Sequence, residues 1–285
     1  MKTVLYPNFT KPNALPTALK VCRLLHEIGV ETFTDNCYKN DFACTEYVAF
    51  GNIDEITANC DNIIAIGGDG TILKASHFSS KYDKPMLGIN TGHLGFMASM
   101  EADELDSLIK LKTHDYVIET RMMLDVEQIR DNMVVAKHTA LNDIVVARPY
   151  AKITDYDILA DDYTVSSIRA DGAVFSTPTG STAYALSAGG PIIEPHLECI
   201  QMTPICPHSL SSRTMLFASE RKISIKHHST NKSGVYYCVD GQDEICFEYG
   251  DTLVISKSQK KMKLIDIKGH SFFDAVKNKL MNSIK

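Results

Sequence analysis

The chain has 285 residues, of which 44% are hydrophobic and 22% are charged. This composition is typical of a folded globular protein with a sizeable core, and it excludes a disordered or collagen-like chain. The formal net charge of −6 and the sequence pI near 5.9 disfavour nonspecific binding to nucleic acid or anionic membranes, because both need a basic surface. We therefore expect a small-molecule partner, with no nucleic acid and no membrane.

The eight cysteines include no C-x-x-C pair, and their spacings match no metal site, so we interpret them as reduced thiols. The N-terminal residues MKTVLYPNFTKPN lack the apolar stretch of a signal peptide, and no run approaches the roughly 20 apolar residues of a membrane span. These features predict a cytoplasmic protein.

The first hundred residues alternate short apolar runs with a helical pattern. Strands are predicted at TVLYP, VETFT, NIIAI and PMLGI, and a helix is predicted over NALPTALKVCRLLHEIG, ending at Gly29. This alternation is typical of an α/β domain with a parallel sheet. A further helical pattern, EADELDSLIKLK, follows at residues 101–112.

The second half of the chain is β-rich. Short strands are predicted at MLDVEQI, NMVVA, NDIVVA, YDILA, YTVSSI, RKISIK, VYYCV, EICFEY and TLVIS, and the last segment, SFFDAVKNKLMNSIK, returns to helical spacing with Ser271 as its cap. The predicted fold is an N-terminal α/β domain with a parallel sheet (1–100), completed by a C-terminal helix (258–285), and a β-rich domain (101–257).

A glycine loop containing an acid, GGDGT, follows the apolar run IIAI. Glycines at the carboxyl end of a strand let backbone N–H groups face phosphate oxygens. Asp69 would repel a phosphate unless a cation bridged the two or its carboxylate accepted a proton from a hydroxyl nucleophile, and both roles belong to phosphoryl transfer. A tight Asp-Gly turn without a function explains this loop alone equally well.

Three other loops carry small polar residues. NTGHLGF at 90–96 is a weak signal, and we assign His93 no acid–base role. In RADGAVFSTPTGSTAYALSAGGPII at 169–193, hydroxyls near a helix start can donate to ribose or phosphate oxygens, and Tyr184 offers a ring for stacking; the alternative is an N-capped helix with a core tyrosine. In LNDIVVAR, Asn142 and Asp143 are suited to an amide or ribose edge, whereas Arg148 is expected to be a surface charge.

Taken together, GGDGT, NTGHLGF, LND, DGAVFSTPTGSTAYALSAGGPII, TPICPHSLSSR and VDGQ resemble, in order and spacing, the motifs of the NAD kinases over about residues 60 to 245. GGDGT alone is shared with diacylglycerol-type lipid kinases and is similar to a motif of the phosphofructokinases, so the later motifs decide between these families.

The resemblance implies a two-domain enzyme with its site between the domains, which converts ATP and NAD to ADP and NADP. It implies a divalent cation, with Mg²⁺ expected, and a homo-oligomer that is a dimer or a tetramer. Asp69 would orient the 2′-hydroxyl of the adenosine ribose and take its proton. The other implied contacts, all with substrate, are Gly68, Gly70, Lys74, Asn142, Asp143, Arg169, Asp171, Thr182, Ala183, Tyr184, Ser187, Cys206 and Gln242, with no metal ligand assigned.

Two positions depart from the family pattern. The family commonly has Asn-Glu where this chain has Asn142-Asp143, and a shorter carboxylate reaches less far. Cys206 stands where the family tends to carry a small residue, and packing is the role that we expect for its side chain. The alternatives are a lipid kinase with the same loop, for which the TPTGSTAY motif has no explanation, and a dinucleotide-binding sensor without catalysis, against which the retention of Asp69 argues.

Overall fold

The computed structural model describes residues 1–92, 95–148, 153–209, 211–229, 234–269 and 272–281. The chain forms two compact units, Met1–Thr120 with Lys260–Lys285, and Arg121–Gln259. Residues 101–120 therefore belong to the first unit rather than to the β-rich one. Leu105, Leu108 and Leu111 are fully buried in the first unit's hydrophobic core, which explains why this segment stays with it.

The first unit is a parallel sheet with helices, as predicted. Its strands pair in the order β3-β2-β1-β4-β5, and the order reverses between β1 and β4. The strands are β1 (Lys2–Pro7), β2 (Glu31–Asp35), β3 (Ala49–Gly51), β4 (Asn62–Gly67), β5 (Met86–Asn90) and β6 (Met100–Glu101), and the helices are α1 (Ala14–Glu27), α2 (Ile53–Ala58), α3 (Asp69–Tyr82) and α4 (Ile109–Thr113), with 3-10 turns at Asn36–Tyr38 and Leu105–Leu108.

Burial explains these elements. Every residue of β4 is buried, as expected for a central strand of a parallel sheet that is covered on both faces. The buried residues Val21, Cys22 and Leu25 recur at helical spacing along α1, and Gly29 ends the helix with a φ of 73°, a left-handed conformation that favours glycine.

The second unit is an antiparallel β structure. One group of strands pairs in the order β14-β13-β12-β9-β16-β17, and another runs β11-β10-β15-β18, with β7 pairing to both β18 and β8. Their inner faces share one core, in which Tyr156 and Tyr237 are the largest side chains. The strands are β7 (Val117–Arg130), β8 (Met133–Ala140), β9 (Asp143–Ala147), β10 (Thr154–Ala160), β11 (Tyr163–Ala170), β12 (Gly172–Ser176), β13 (Cys199–Ile205), β14 (Met215–Ala218), β15 (Ile223–His227), β16 (Val235–Val239), β17 (Ile245–Phe247) and β18 (Thr252–Asp266), with a 3-10 turn at Thr179–Thr182 and a short helix α5 (Tyr184–Ser187).

Two predicted helices are wrong in their extent. Residues 101–112 form the end of β6, a 3-10 turn and α4 rather than one helix. The helix predicted from residue 258 begins only at Phe272, because β18 continues to Asp266 and Leu264 pairs there with Met86 of β5. The helix α6 (Phe272–Val276) continues as a π-helix, Lys277–Met281, whereas the predicted cap Ser271 lies outside the described residues. Among the described residues, no helix is long and apolar enough to cross a membrane.

Candidate active site

The glycine loop of the first unit lies where the strand order reverses. β1 and β4 are neighbours, and the loop that begins at Gly67 follows the carboxyl end of β4. Open α/β sheets bind ligands at the carboxyl ends of strands at such a switch point. Asn8, directly after β1, donates from its side-chain amide to the Thr71 hydroxyl at 3.3 Å, which ties the two strand ends together.

Asp69 is the first residue of α3, and its carboxylate is held from two sides. The backbone N–H of Phe96 donates to Oδ2 at 2.9 Å, and that of Met97 donates to Oδ1 at 3.2 Å. The Lys279 ammonium, on the π-helix, lies 3.3 Å from Oδ2. Asp69 thus does more than form a turn, because its carboxylate joins the glycine loop to the segment after NTG and to the C-terminal helix.

Gly95 explains why the NTGHLGF segment approaches Asp69 so closely. A Cβ placed on Gly95 would lie 1.8 Å from Asp69 Oδ1 and 2.4 Å from its Cγ. No other residue type fits at this position without moving the carboxylate or the loop. His93 and Leu94, in the same motif, lie outside the described residues.

Gly68 and Gly70 differ from Gly95, because the protein's own packing does not require them. Among the residues that the structure describes, a Cβ at either position meets nothing within 4 Å, and neither backbone is left-handed. Gly68 has an extended backbone with φ −127° and ψ −173°, which other residues also adopt. Lys74 lies exposed further along α3.

A second group of polar residues lies in the second unit, around the turn from β8 to β9. The Asp240 carboxylate accepts backbone N–H donors from Leu141 at 2.7 Å, Asn142 at 2.8 Å and Asp143 at 3.1 Å. Three such bonds hold the LND turn in one conformation. The turn is also close-packed, since a Cβ on Gly180 would lie 2.0 Å from the Asn142 carbonyl oxygen.

The side chains of this turn are buried and polar. The Asn142 amide oxygen is buried, and among the described residues it has no hydrogen-bond partner. Burial, together with the neighbouring Asp240 carboxylate, raises the pKa of Asp143 to about 7, although a hydrogen bond from the Tyr184 backbone N–H opposes the shift. The structure therefore brings Asn142, Asp143 and Tyr184 together.

In the hydroxyl-rich motif, two of the hydroxyls bind backbone carbonyls rather than remaining available to a ligand. Thr177 and Ser181 are fully buried and bind the protein's own backbone: Thr177 Oγ1 donates to the Leu141 carbonyl at 2.6 Å, and Ser181 Oγ donates to that of Pro178 at 2.7 Å. Those two hydroxyls thus shape the loop and are not available to a ligand. Thr182, predicted as a contact, donates from its hydroxyl to the Thr179 carbonyl at 3.2 Å.

Tyr184 is not a core residue, because 45% of it is exposed. It begins α5, whose last residue, Ser187, is also exposed, and the half-buried Ala183 joins that helix to the 3-10 turn before it. The exposed ring retains the capacity to stack that the sequence predicted.

The remaining predicted contacts lie around β11, β13 and β16. Arg169 on β11 pairs with Asp155 at 3.8 Å, both largely exposed. Gln242 is exposed, and its carbonyl accepts the Cys238 thiol at 2.9 Å. The half-buried Asp171 accepts the Arg148 backbone N–H with its carbonyl at 3.2 Å.

Two expectations fail in this region. Cys206 is exposed with a φ of 45°, so the packing role expected for it is wrong, since its side chain has left the interior at the end of β13. Arg148 is only 9% exposed and is therefore not the surface charge that its place after an apolar run indicated.

Family models decide the affiliation. The ATP-NAD kinase N-terminal domain matches residues 5–116, and the ATP-NAD kinase C-terminal domain matches residues 141–267. This chain belongs to the NAD kinase family. It is a kinase, and the lipid kinase and silent sensor alternatives are not favoured.

Curated NAD kinases and solved structures of the family agree with this affiliation. The chain is 34% identical to the NAD kinase of Symbiobacterium thermophilum and 36% identical to that of Caldanaerobacter subterraneus, with 98% of each chain covered in both comparisons. The structure of yeast NADH kinase complexed with NADH matches with a TM-score of 0.88 at 25% identity, covering 100% of this chain and 88% of that one. An NAD kinase from Archaeoglobus fulgidus in complex with ATP matches with a TM-score of 0.74 at 27% identity, covering 100% and 99%.

Four residues that shape these NAD kinase loops were not predicted from the sequence: Asn8, Gly95, Asp240 and Lys279. Asn8 directly follows a predicted strand, so the rule that ligands bind at strand ends would have found it. Gly95 and Asp240 stand inside quoted motifs, but only the packed structure shows what they contact. Lys279 gave no signal, because its partner is 210 positions away in the chain.

Proposed function

We propose that this NAD kinase family member transfers the γ-phosphate of ATP to the 2′-hydroxyl of the adenosine ribose of NAD, with Asp69 as the residue that orients the hydroxyl and accepts its proton. The observation that carries this assignment is the Asp69 carboxylate, fixed at the switch point of the parallel sheet by the N–H groups of Phe96 and Met97. Phosphoryl transfer depends mainly on positioning, and a carboxylate held this way is suited to that task.

The phosphates of the substrates would lie against the glycine loop. No described residue fills the space where a side chain of Gly68 or Gly70 would stand, and both glycines adjoin the N-terminus of α3, a helix of 14 residues whose first N–H groups favour an anion. Lys74, exposed on the same helix, is the cation that we place nearest the phosphates.

The dinucleotide would be held by the second unit's polar group. Among the described residues, the buried Asn142 amide oxygen has no hydrogen-bond partner, and an unsatisfied buried acceptor destabilises the folded protein until a donor reaches it. A ribose hydroxyl or an exocyclic amine of NAD would supply that donor, with Asp143 as a second acceptor. Tyr184 would stack on a base through its exposed ring. We keep Arg169, Asp171, Thr182, Ala183, Ser187, Cys206 and Gln242 as weaker candidate contacts.

A divalent cation, Mg²⁺, completes the proposal. Mg²⁺ usually keeps several waters and binds substrate phosphates with only one or two carboxylates, so the phosphates of ATP would supply most of its ligands. Among the described residues, one group of three acids could share a metal ion, Glu101, Asp103 and Glu104, but the Lys268 ammonium already pairs with Glu104. The cation would therefore arrive with ATP, and chelation by EDTA should stop turnover.

We also propose that the enzyme is a homo-oligomer, a dimer or a tetramer, and that it is cytoplasmic. The exposed apolar side chains of Met133 and Val134 on β8, 66% and 55% exposed, suit contact with a second copy in a dimer or tetramer, which sedimentation would detect. All eight cysteines are free thiols, as suits a reducing cytoplasm, and cell fractionation would test that location.

Asp69→Asn tests the central assignment. We expect kcat to fall by about 10² to 10⁴-fold, because an amide accepts no proton, while the affinity for NAD changes little. The asparagine NH₂ would also face the backbone N–H of either Phe96 or Met97, and that donor would lose its acceptor. We therefore expect a loss of about 1 to 3 kcal/mol in the free energy of unfolding. Turnover is measured with ATP, Mg²⁺ and NAD, and NAD affinity by calorimetry.

Asp106→Asn is the matched control, since Asp106 is an exposed acid of the same unit. It should leave kcat and stability unchanged. If Asp69→Asn folded and turned over within a few-fold of the parent enzyme, the carboxylate would have only a structural role and the proposed mechanism would fail.

A further inference from the structure

We propose that Lys279, on the C-terminal π-helix, is a positioning residue for the phosphoryl transfer: its ammonium fixes the Asp69 carboxylate so that Oδ1 is the oxygen that faces the ribose hydroxyl. This inference rests on the proposed role of Asp69. It assigns a function to the C-terminal segment, which none of the recognised motifs includes.

The three donors on Asp69 are unevenly distributed. Oδ2 accepts both the Phe96 N–H at 2.9 Å and the Lys279 ammonium at 3.3 Å, whereas Oδ1 accepts only the Met97 N–H at 3.2 Å. A carboxylate has about four lone-pair sites, two on each oxygen. Oδ2 is therefore saturated, and among the described residues no further donor reaches Oδ1. The remaining site on Oδ1 is the one that can accept the hydroxyl proton.

Lys279 is itself fixed by its contacts. Its ammonium lies 4.5 Å from the centroid of the Phe96 ring, which is a cation–π distance. The backbone N–H of Phe96 donates to Asp69. Phe272, at the start of α6, also contacts the Phe96 ring, and the centroids of the two rings lie 6.3 Å apart. The C-terminal helix and the loop after Gly95 thus form one structure around the carboxylate. Lys279 is about one-third exposed and Asp69 about one-quarter, so the pair is neither dry nor fully screened.

The lysine's charge and its length can be separated by substitution. Lys279→Met keeps an unbranched side chain of similar length and removes the charge, and we expect kcat to fall about 10-fold while the KM values for NAD and ATP change less than about 3-fold. Lys279→Arg keeps a cation that can stack on Phe96, and the kcat of this variant should lie within about 3-fold of the parent value. Lys277→Met, at an exposed position two residues earlier on the same helix, is the control and should have no effect.

A double-mutant cycle decides whether the lysine acts through Asp69. In an Asp69→Asn background, Lys279→Met should lower kcat by less than about 2-fold, because the carboxylate that it positions is already gone. An equal loss in both backgrounds would place the lysine on the substrate's phosphates instead and overturn the proposal. So would a lower thermal midpoint for Lys279→Met with kcat unchanged, since the lysine would then only anchor the helix.

The two proposals fail separately. Asp69→Asn alone decides whether the carboxylate acts in the reaction. If Asp69→Asn abolishes turnover while Lys279→Met leaves kcat at the parent value, Asp69 keeps its role and only the positioning by Lys279 is refuted.

Discussion

Gly95→Ala offers a test of the carboxylate geometry that leaves Asp69 itself unchanged. The new methyl carbon would stand 1.8 Å from Asp69 Oδ1 and 2.6 Å from Oδ2, whereas ordinary contact begins at 3.4 Å. Alanine is permitted by the backbone at this position, because Gly95 is not left-handed. The substitution therefore acts through this one clash.

The structure gives the size of the effect. Relief of the clash requires Oδ1 and the loop to move apart by about 1.6 Å, to the 3.4 Å at which contact is ordinary. A misplacement of about 1 Å in a catalytic group can cost about 10²-fold in rate, so we expect kcat to fall at least that far. Overpacking should also cost about 1 to 3 kcal/mol of stability.

The assay is steady-state turnover at saturating ATP and NAD, with NAD affinity measured by calorimetry and folding by thermal unfolding. Gly92→Ala is the control in the same loop, because the one described atom that its Cβ would meet is Asn90 Oδ1 at 4.0 Å, and it should keep the parent kcat. A folded Gly95→Ala enzyme with kcat within about 3-fold of the parent would refute the reasoning, since the carboxylate's position would then not matter to the rate.

Two further predictions concern the second unit. Tyr184→Ala should weaken NAD binding by about 1 to 3 kcal/mol, through loss of one stacking contact, with the thermal midpoint unchanged because the ring is exposed; an unchanged affinity in calorimetry would contradict the stacking role. Burial and Asp240 raise the pKa of Asp143 to about 7, so between about pH 4 and 7 the folded chain holds a proton that the unfolded chain releases, and stability falls as pH rises through that range. Asp143→Asn removes this loss, so from pH 5 to pH 8 the free energy of unfolding of the variant should rise relative to that of the parent by on the order of a few kcal/mol. Urea unfolding without nucleotide measures this difference. A difference that does not change with pH would contradict the raised pKa.

Local sequence was enough to predict the parallel sheet and the place of the glycine loop. The run IIAI is apolar throughout because β4 is buried on both faces, and GGDG must then follow at its carboxyl end. The resemblance of the motifs to the NAD kinases predicted the family, which the domain models confirm.

The partners of polar side chains were not predictable, because packing between distant segments selects them. Thr177 and Ser181 were read as ligand donors from their residue type, yet both satisfy buried backbone groups. The bonds from the LND turn to Asp240 connect residues almost a hundred positions apart. The C-terminal helix was predicted from residue 258, whereas β18 continues to Asp266, with Leu264 paired there to Met86 of β5.

The late position of β18 in the chain has a consequence for biosynthesis. β5 lies within the first hundred residues, but Leu264, which pairs with it, and Ile265, whose carbonyl accepts the Ser99 hydroxyl at 2.7 Å, are translated much later than β5. At typical elongation rates the nascent first unit waits on the order of ten seconds with that sheet edge unpaired. An open apolar edge is a template for intermolecular pairing. Chaperone demand should therefore peak before residue 264 is translated, and ribosome-bound chains halted short of residue 264 should aggregate more than those halted beyond it.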